Sequence, residues 1–363
     1  MDGDRVPVAS PRGVSTGSRS RRSASATSGN RIVDRRLLVV PLVALAAVVL
    51  AACIPVDPSS AARAADYSEA NNGQVVLVHQ FAAPVFSRSI AGWSTMRAHR
   101  LASGTKSFAG AMGIAAAQDG LLTLDEPASD TLTEWKSDSR KSRITIRQLL
   151  DQSSGLDPNR GWPGPDSYAA AIAAPTLAEP GARFDYGPNH FAAFAAIIDR
   201  KVRAAGVATD PLDYLQQRVF DPIGLDVAGW NTDAVGHHLF FAGAQLTADE
   251  WMKFGQLVAW GGLWFDSFDP PAARPILDPV LVDEMLKPSR ANPAYGLGWW
   301  IDPTPDDQPN PDDPDIPGDI VFAAGAGNQH LYVSRSRGVV AVRFGEDVTF
   351  KDAQFLGLLF DRP

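Results

Sequence analysis

Only one serine in the chain has a lysine three residues later: Ser103, in Ser103-Gly104-Thr105-Lys106 of LASGTKSFAGAMGIAAAQDGLL. A serine hydroxyl is a poor nucleophile at neutral pH and needs a nearby base, and a lysine one helical turn later can be that base. If Ser103 opens a helix, Lys106 shares its face and its amine can fold back to the hydroxyl. The unpaired N–H groups and the dipole at a helix start also favour developing negative charge. An isolated pair of this kind arises equally in a capped surface helix with a solvated lysine, so its meaning depends on the residues around it.

Two further stretches are candidates. Tyr186, in ARFDYGPNHFAAFAAIID, stands just before a helical pattern, where its hydroxyl can point into a cleft; the alternative is an ordinary packing tyrosine. Ala323-Ala324-Gly325-Ala326-Gly327 closes the strand-like DIVFAA, and side chains this small let another backbone or a substrate approach closely. By itself such a run is also what a close-packed strand or bulge looks like.

The elements that must position these residues follow from periodicity. QVVLVHQFAAPVF reads as a strand beginning near Gln74, and the Ser103 helix is apolar on more than one face, as in a helix buried through a domain centre. ITIRQLL, HFAAFAAIIDRKV and LDYLQQRVF read as helices. LTADEWMKFGQLVAW has Thr247 with Glu250 three residues on, a capping-box pattern, and stops at Gly261-Gly262. The period then falls to two in GLGWWID, DIVFAA, HLYVS and VVAVRF, before a closing helix in KDAQFLGLLF. The stretch 303–319 is too rich in proline and aspartate for a core element and reads as a solvated loop, its prolines breaking calcium-ligand spacing. Strands at both ends and helices between them predict an α/β fold of the α+β type. Its antiparallel sheet is built from both termini and flanked by helices, with a mainly helical subdomain inserted.

The whole chain narrows the chemistry. Its 363 residues are 45% hydrophobic, enough for a sizeable core. A net charge of −8 offers no basic field for nucleic acid. Six histidines and one cysteine supply no paired zinc-ligand spacing, so neither a metal nor another cofactor is expected. That cysteine, Cys53, follows an uncharged apolar run at 37–52 and the basic residues Arg31, Arg35 and Arg36. The arrangement resembles a bacterial lipoprotein signal, in which cleavage leaves the cysteine to carry lipid; the run is shorter than the roughly 20 residues of a spanning helix, although an uncleaved anchor is the alternative. The expected organisation is a signal segment at 1–52, a Pro-, Ser- and Ala-rich tether at 53–69, and a monomeric domain at 70–363, held at the membrane outside the cytoplasm through Cys53.

Taken in this order, SGTK, Tyr186 and the small-residue strand end resemble the penicillin-recognising serine hydrolases, which include class C β-lactamases, DD-peptidases and related esterases. ITIRQLLDQSSGL, LQQRVFDPIGLD and AYGLGWW extend the resemblance over about residues 70–363. It implies a β-lactamase/transpeptidase-like fold, with Ser103 as acylated nucleophile, Lys106 as its base and Tyr186 relaying protons to or from the leaving group. It also implies an oxyanion hole from the backbone N–H groups of Ser103 and Ala326, and substrate contacts at Ala324, Gly325 and Gly327. Two positions depart from the family pattern. The asparagine of Y-x-N falls on Pro188, with Asn189 out of register, and the cation or imidazole of K-T-G or H-x-G falls on Ala323. The second loss weakens carboxylate recognition more than acyl chemistry, unless Arg335, Arg337 or Arg343 compensates. An ester, an amide or a β-lactam is the expected substrate, with esterase or amide hydrolysis ahead of β-lactamase activity. The alternative is a catalytically idle protein that binds cell-wall fragments or an envelope partner.

Overall fold

β-Branched residues are concentrated in QVVLVHQ and VVAVRF, and these two stretches pair in one sheet. The computed structural model describes residues 54–90, 92–159, 161, 164–268, 271–301, 316–346 and 349–361. The segment 1–52, Cys53 and most of the 303–319 loop lie outside the described residues. In chain order the strands are β1 (Gly73–Gln80), β2 (Ala83–Ser89), β3 (His99–Arg100), β4 (Gly229–Trp230), β5 (Ala244–Leu246), β6 (Leu263–Phe268), β7 (Pro271–Pro275), β8 (Trp300–Ile301), β9 (Ile320–Gly325), β10 (Gln329–Ser334) and β11 (Val339–Gly345). The main sheet is antiparallel, ordered β2-β1-β11-β10-β9-β8, so both termini supply it as expected. Both of its faces are apolar. Val75, Leu77, Leu331, Val342 and Phe344 face one core, and Val76, Val78, Phe322, Tyr332 and Ala341 face a second.

Helices cover both faces. Over the second core lie α1 (Pro58–Ala70) and, at the chain end, α9 (Asp352–Phe360). The first core holds α2 (Lys106–Gln118), α3 (Ile146–Leu150), α4 (Ser167–Ala173), α5 (Pro188–Ala205), α6 (Pro211–Leu215), α7 (Ala248–Ala259) and α8 (Pro279–Met285). The expected Thr247 cap is present, its side chain accepting from Glu250 N–H, and Thr145 forms a reciprocal capping box with Gln148 at the start of α3.

Residues 58–70 correct the expected tether. Asp57 caps α1, Pro58 occupies its first turn, and Ala61, Ala64, Ala65 and Ser68 are buried against the sheet. Alanine is the best helix former, and its small side chain lets the helix lie close; the same composition reads as a linker when no partner surface is in view. Among the described residues no helix is long and apolar enough to cross a membrane.

Candidate active site

β3 leads directly into the turn that carries Ser103. Ala102 sits at φ +46°, a left-handed conformation costing a non-glycine residue about 1 kcal/mol, and residues Ala102–Thr105 form a 3₁₀ turn before α2 begins at Lys106. The serine is therefore one turn ahead of the α-helix proper. Thr105 Oγ1 donates to the Ala102 carbonyl at 2.7 Å and accepts from Ala244 N–H at 3.1 Å, tying the turn to β5. α2 is buried almost throughout, as its apolar sequence predicts, and so fixes what precedes it.

Lys106 is 3% exposed. Its Nζ lies 2.9 Å from Ser103 Oγ and donates to the Phe241 carbonyl at 2.9 Å. Burial pushes its pKa below the ordinary lysine value, while the Tyr186 hydroxyl pulls the other way. The Tyr186 ring is also close, with Nζ 4.6 Å from its centroid. Ser103 and Lys106 thus meet Tyr186, which is remote in sequence, at one place.

Tyr186 is held from both sides by the turn after α3. Asp185 N–H donates to the Gln152 carbonyl at 3.0 Å, and Gly187 N–H donates to Gln152 Oε1 at 2.9 Å. Gln152 is wholly buried at φ +59°. His190 adds a second tie: its Nε2 donates to the Asp185 carbonyl at 2.7 Å, which leaves Nδ1 to accept from Ser154 Oγ at 2.8 Å. Burial pushes the His190 pKa down to about 4. This histidine is wholly buried in the first turn of α5. Gln152 and Phe241 carry no sequence signal as site residues, since each acts through contacts remote in sequence.

The small-residue strand end reaches the same place. A Cβ on Gly325 would fall 2.0 Å from the Leu101 carbonyl oxygen and 3.2 Å from Gly104 N, so β9 ends against the serine turn and only glycine fits there. Ala324 is half-buried, Ala326 exposed, and Gly327 turns the chain at φ +80°. Ser103, Lys106, Phe184, Asp185, Tyr186, Gly187, Pro188, Phe241 and Ala242 line a cavity of about 590 Å³. Trp300 stacks on Tyr186 at 5.8 Å and Tyr295 meets it edge-on at 6.4 Å, whereas Trp299 belongs to the core.

The departures have physical outcomes. Pro188 opens α5, and Asn189 Nδ2 donates to the Asp157 carbonyl; Phe241, not an asparagine amide, is the acceptor for Lys106 Nζ. Ala323 is 2% exposed. Arg343 is buried on Ser68 Oγ and the carbonyls of Asn71 and Asn328, Arg335 pairs with Asp283, and Arg337 reaches the Ile54 carbonyl.

A larger cavity, about 690 Å³, contains neither Ser103 nor Lys106. His237 Nδ1 there lies 3.2 Å from Asp233 Oδ2 and 3.5 Å from Asp166 Oδ1, a grouping whose atoms could converge on a metal. Asp233 already accepts from Ser167 N–H and Oγ, Val235 N–H and His237 N–H. Those donors fill the roughly four lone-pair sites of a carboxylate, so the cluster is explained as a loop staple.

Comparison with known proteins supplies the remaining context. The family model described as beta-lactamase matches residues 64–354. Among curated proteins no sequence matches the chain. Solved structures with the same fold include EstCE1, a hydrolase with promiscuous acyltransferase activity, at 18% identity and TM-score 0.63, covering 83% of this chain and 98% of that one. A D-stereospecific amidohydrolase from Streptomyces sp. aligns at 16% identity and TM-score 0.62, covering 83% and 97%. An octameric penicillin-binding protein homologue from Pyrococcus abyssi aligns at 15% identity and TM-score 0.61, covering 82% and 75%.

Proposed function

The chain belongs to the beta-lactamase family, and on that premise we propose that it is an extracytoplasmic serine hydrolase working through an acyl-Ser103 intermediate. The observation that carries this reading is the 2.9 Å approach of Ser103 Oγ to an amine whose pKa is lowered by burial. A neutral Lys106 has a lone pair to receive the hydroxyl proton as Oγ attacks a carbonyl carbon. Oxyanion charge would fall to the N–H groups of Ser103 and Ala326, and Tyr186, beside Lys106, would pass the proton to the leaving group. The leaving group departs with that proton, and water then cleaves the acyl–Ser103 ester, returning the serine hydroxyl.

With Ala323 buried and Arg335, Arg337 and Arg343 engaged elsewhere, an ester or amide lacking a carboxylate fits better than a penicillin. Ala324, Gly325 and Gly327 would let such a substrate lie along the end of β9. Lipid on Cys53, read from the sequence, would hold the protein at the outer side of a membrane.

Intact-protein mass spectrometry after exposure to a fluorophosphonate, and separately to a penicillin, tests the reading. The expected result is a fluorophosphonate adduct on the wild type, none on Ser103→Ala or Lys106→Ala, and little penicillin adduct. No adduct from either reagent would favour the idle binding protein suggested by Pro188 and Ala323. Detergent partitioning that disappears in Cys53→Ser would support the anchor.

A further inference from the structure

The described chain is fastened to the sheet as soon as it begins. The Ile54 carbonyl accepts from Gln80 Nε2 at 3.1 Å and from Arg337 Nη2 at 3.2 Å, and Val56 N–H donates to Gln80 Oε1 at 2.9 Å. Gln80 ends β1, and Arg337 lies in the turn between β10 and β11. Cys53 is one residue further, a reach of at most about 4 Å, so no spacer separates it from the sheet.

The strand register says which end this is. Gln80 pairs with Val339, Val339 with Ser334, and Ser334 with Ile320, forming one edge row of the sheet. The opposite row holds Gly73 with Gly345 and Gln329 with Gly325. Gly325 is the residue that closes on the Ser103 turn. Across the six residues of β9, the Cys53 end and the Ser103 end are therefore separated by about 17–20 Å.

The Cys53 end also carries aromatic surface. Phe81, at the tip of the β1–β2 turn, is 46% exposed although its ring packs beside Gly338. Trp260, at the end of α7, packs on Trp264 and Phe265, all three half-buried, and the adjoining Gly261 abuts the Arg335 guanidinium. Aromatic side chains with arginines among them suit the headgroup layer of a bilayer.

We infer that the protein sits on the leaflet carrying its Cys53 lipid through the β1–β2 and β10–β11 turns, with Phe81 entering the headgroups and the Ser103 cavity turned away. Substrates then arrive from the aqueous or wall side, as water-borne or wall-bound esters and amides; lipids of the anchoring leaflet cannot reach Ser103. This orientation rests on the lipid anchor proposed above.

The test supplies that anchor artificially. A chain beginning at Cys53 is coupled through its thiol to a maleimide phospholipid in phosphatidylethanolamine–phosphatidylglycerol vesicles. A fluorescent non-natural aromatic residue replaces either Phe81 or Glu346, an exposed residue beside Gly345 at the opposite row. Brominated lipids should quench the probe at 81 several-fold more than the probe at 346, and aqueous iodide should show the reverse. Equal quenching, stronger lipid quenching at 346, or none at either position overturns the orientation. Fluorophosphonate labelling of Ser103 in the same vesicles reports separately on the hydrolase reading, and the mass of Cys53 from cells reports on native lipidation.

Discussion

A buried amine is costly to a fold unless it is neutral. Because the Lys106 pKa is lowered on folding, the unfolded chain binds the extra proton below its ordinary value of 10.5, and stability rises with pH towards that value. Lys106→Met should consequently raise stability at pH 7 by about 1 kcal/mol or more while abolishing fluorophosphonate labelling. The gain should shrink as pH approaches 10.5; urea melts across pH measure it. His190 works in the acid range. Its pKa falls from 6.5 to about 4 on folding, so its neutral form supports the fold fully above pH 6.5. That support is lost progressively as pH falls to about 4, by roughly 3 kcal/mol, and His190→Gln should flatten this part of the pH–stability curve. Gln152 bears on Tyr186 through its neighbours Asp185 and Gly187: Gln152→Gly keeps the left-handed backbone and its carbonyl but removes the side-chain acceptor for Gly187 N–H. Labelling should slow about tenfold, and Gln152→Gly should add nothing once Tyr186 is already phenylalanine. Ser103 and Lys106 were legible because they are three residues apart on one face. Gln152 and Phe241 were not, because their contacts span tens to more than a hundred residues and leave no spacing to read.

At the scale of elements, the site depends on how closely backbones approach. β9 touches the Ser103 turn only because Gly325 has no side chain, so Gly325→Ala must push strand and turn apart. Loss of fluorophosphonate labelling and a lower melting temperature are expected, whereas Gly318→Ala, with nothing within 4 Å of its would-be Cβ, should leave both unchanged. The sequence made the strands visible through their period of two and the Thr247 cap through its spacing. It concealed the start of the Ser103 helix, because a 3₁₀ turn and the first turn of an α-helix share the same i, i+3 neighbours. α1 was concealed for another reason: alanine and serine show a helix only once the surface they pack on is known.

The described residues form two cores, one on each face of a shared sheet, and the second is closed by α1 and α9. Ser60 Oγ donates to the Asp361 carbonyl, and Arg63 pairs with Asp361, joining α1 to the residue that follows α9 across that face. A chain truncated to begin at Asn72 would leave Val76, Val78 and Ala341 without α1. It should aggregate, while one beginning at Ile54 stays monomeric by light scattering.

The burial of Ala323 bears on what selection can do with this scaffold. A lysine at that position would have to place its charge in a core that includes Leu101, Phe344 and Leu331, at a cost of several kcal/mol. On the proposed reading, penicillin hydrolysis gained through a lysine at 323 would need a second change that makes room for the side chain.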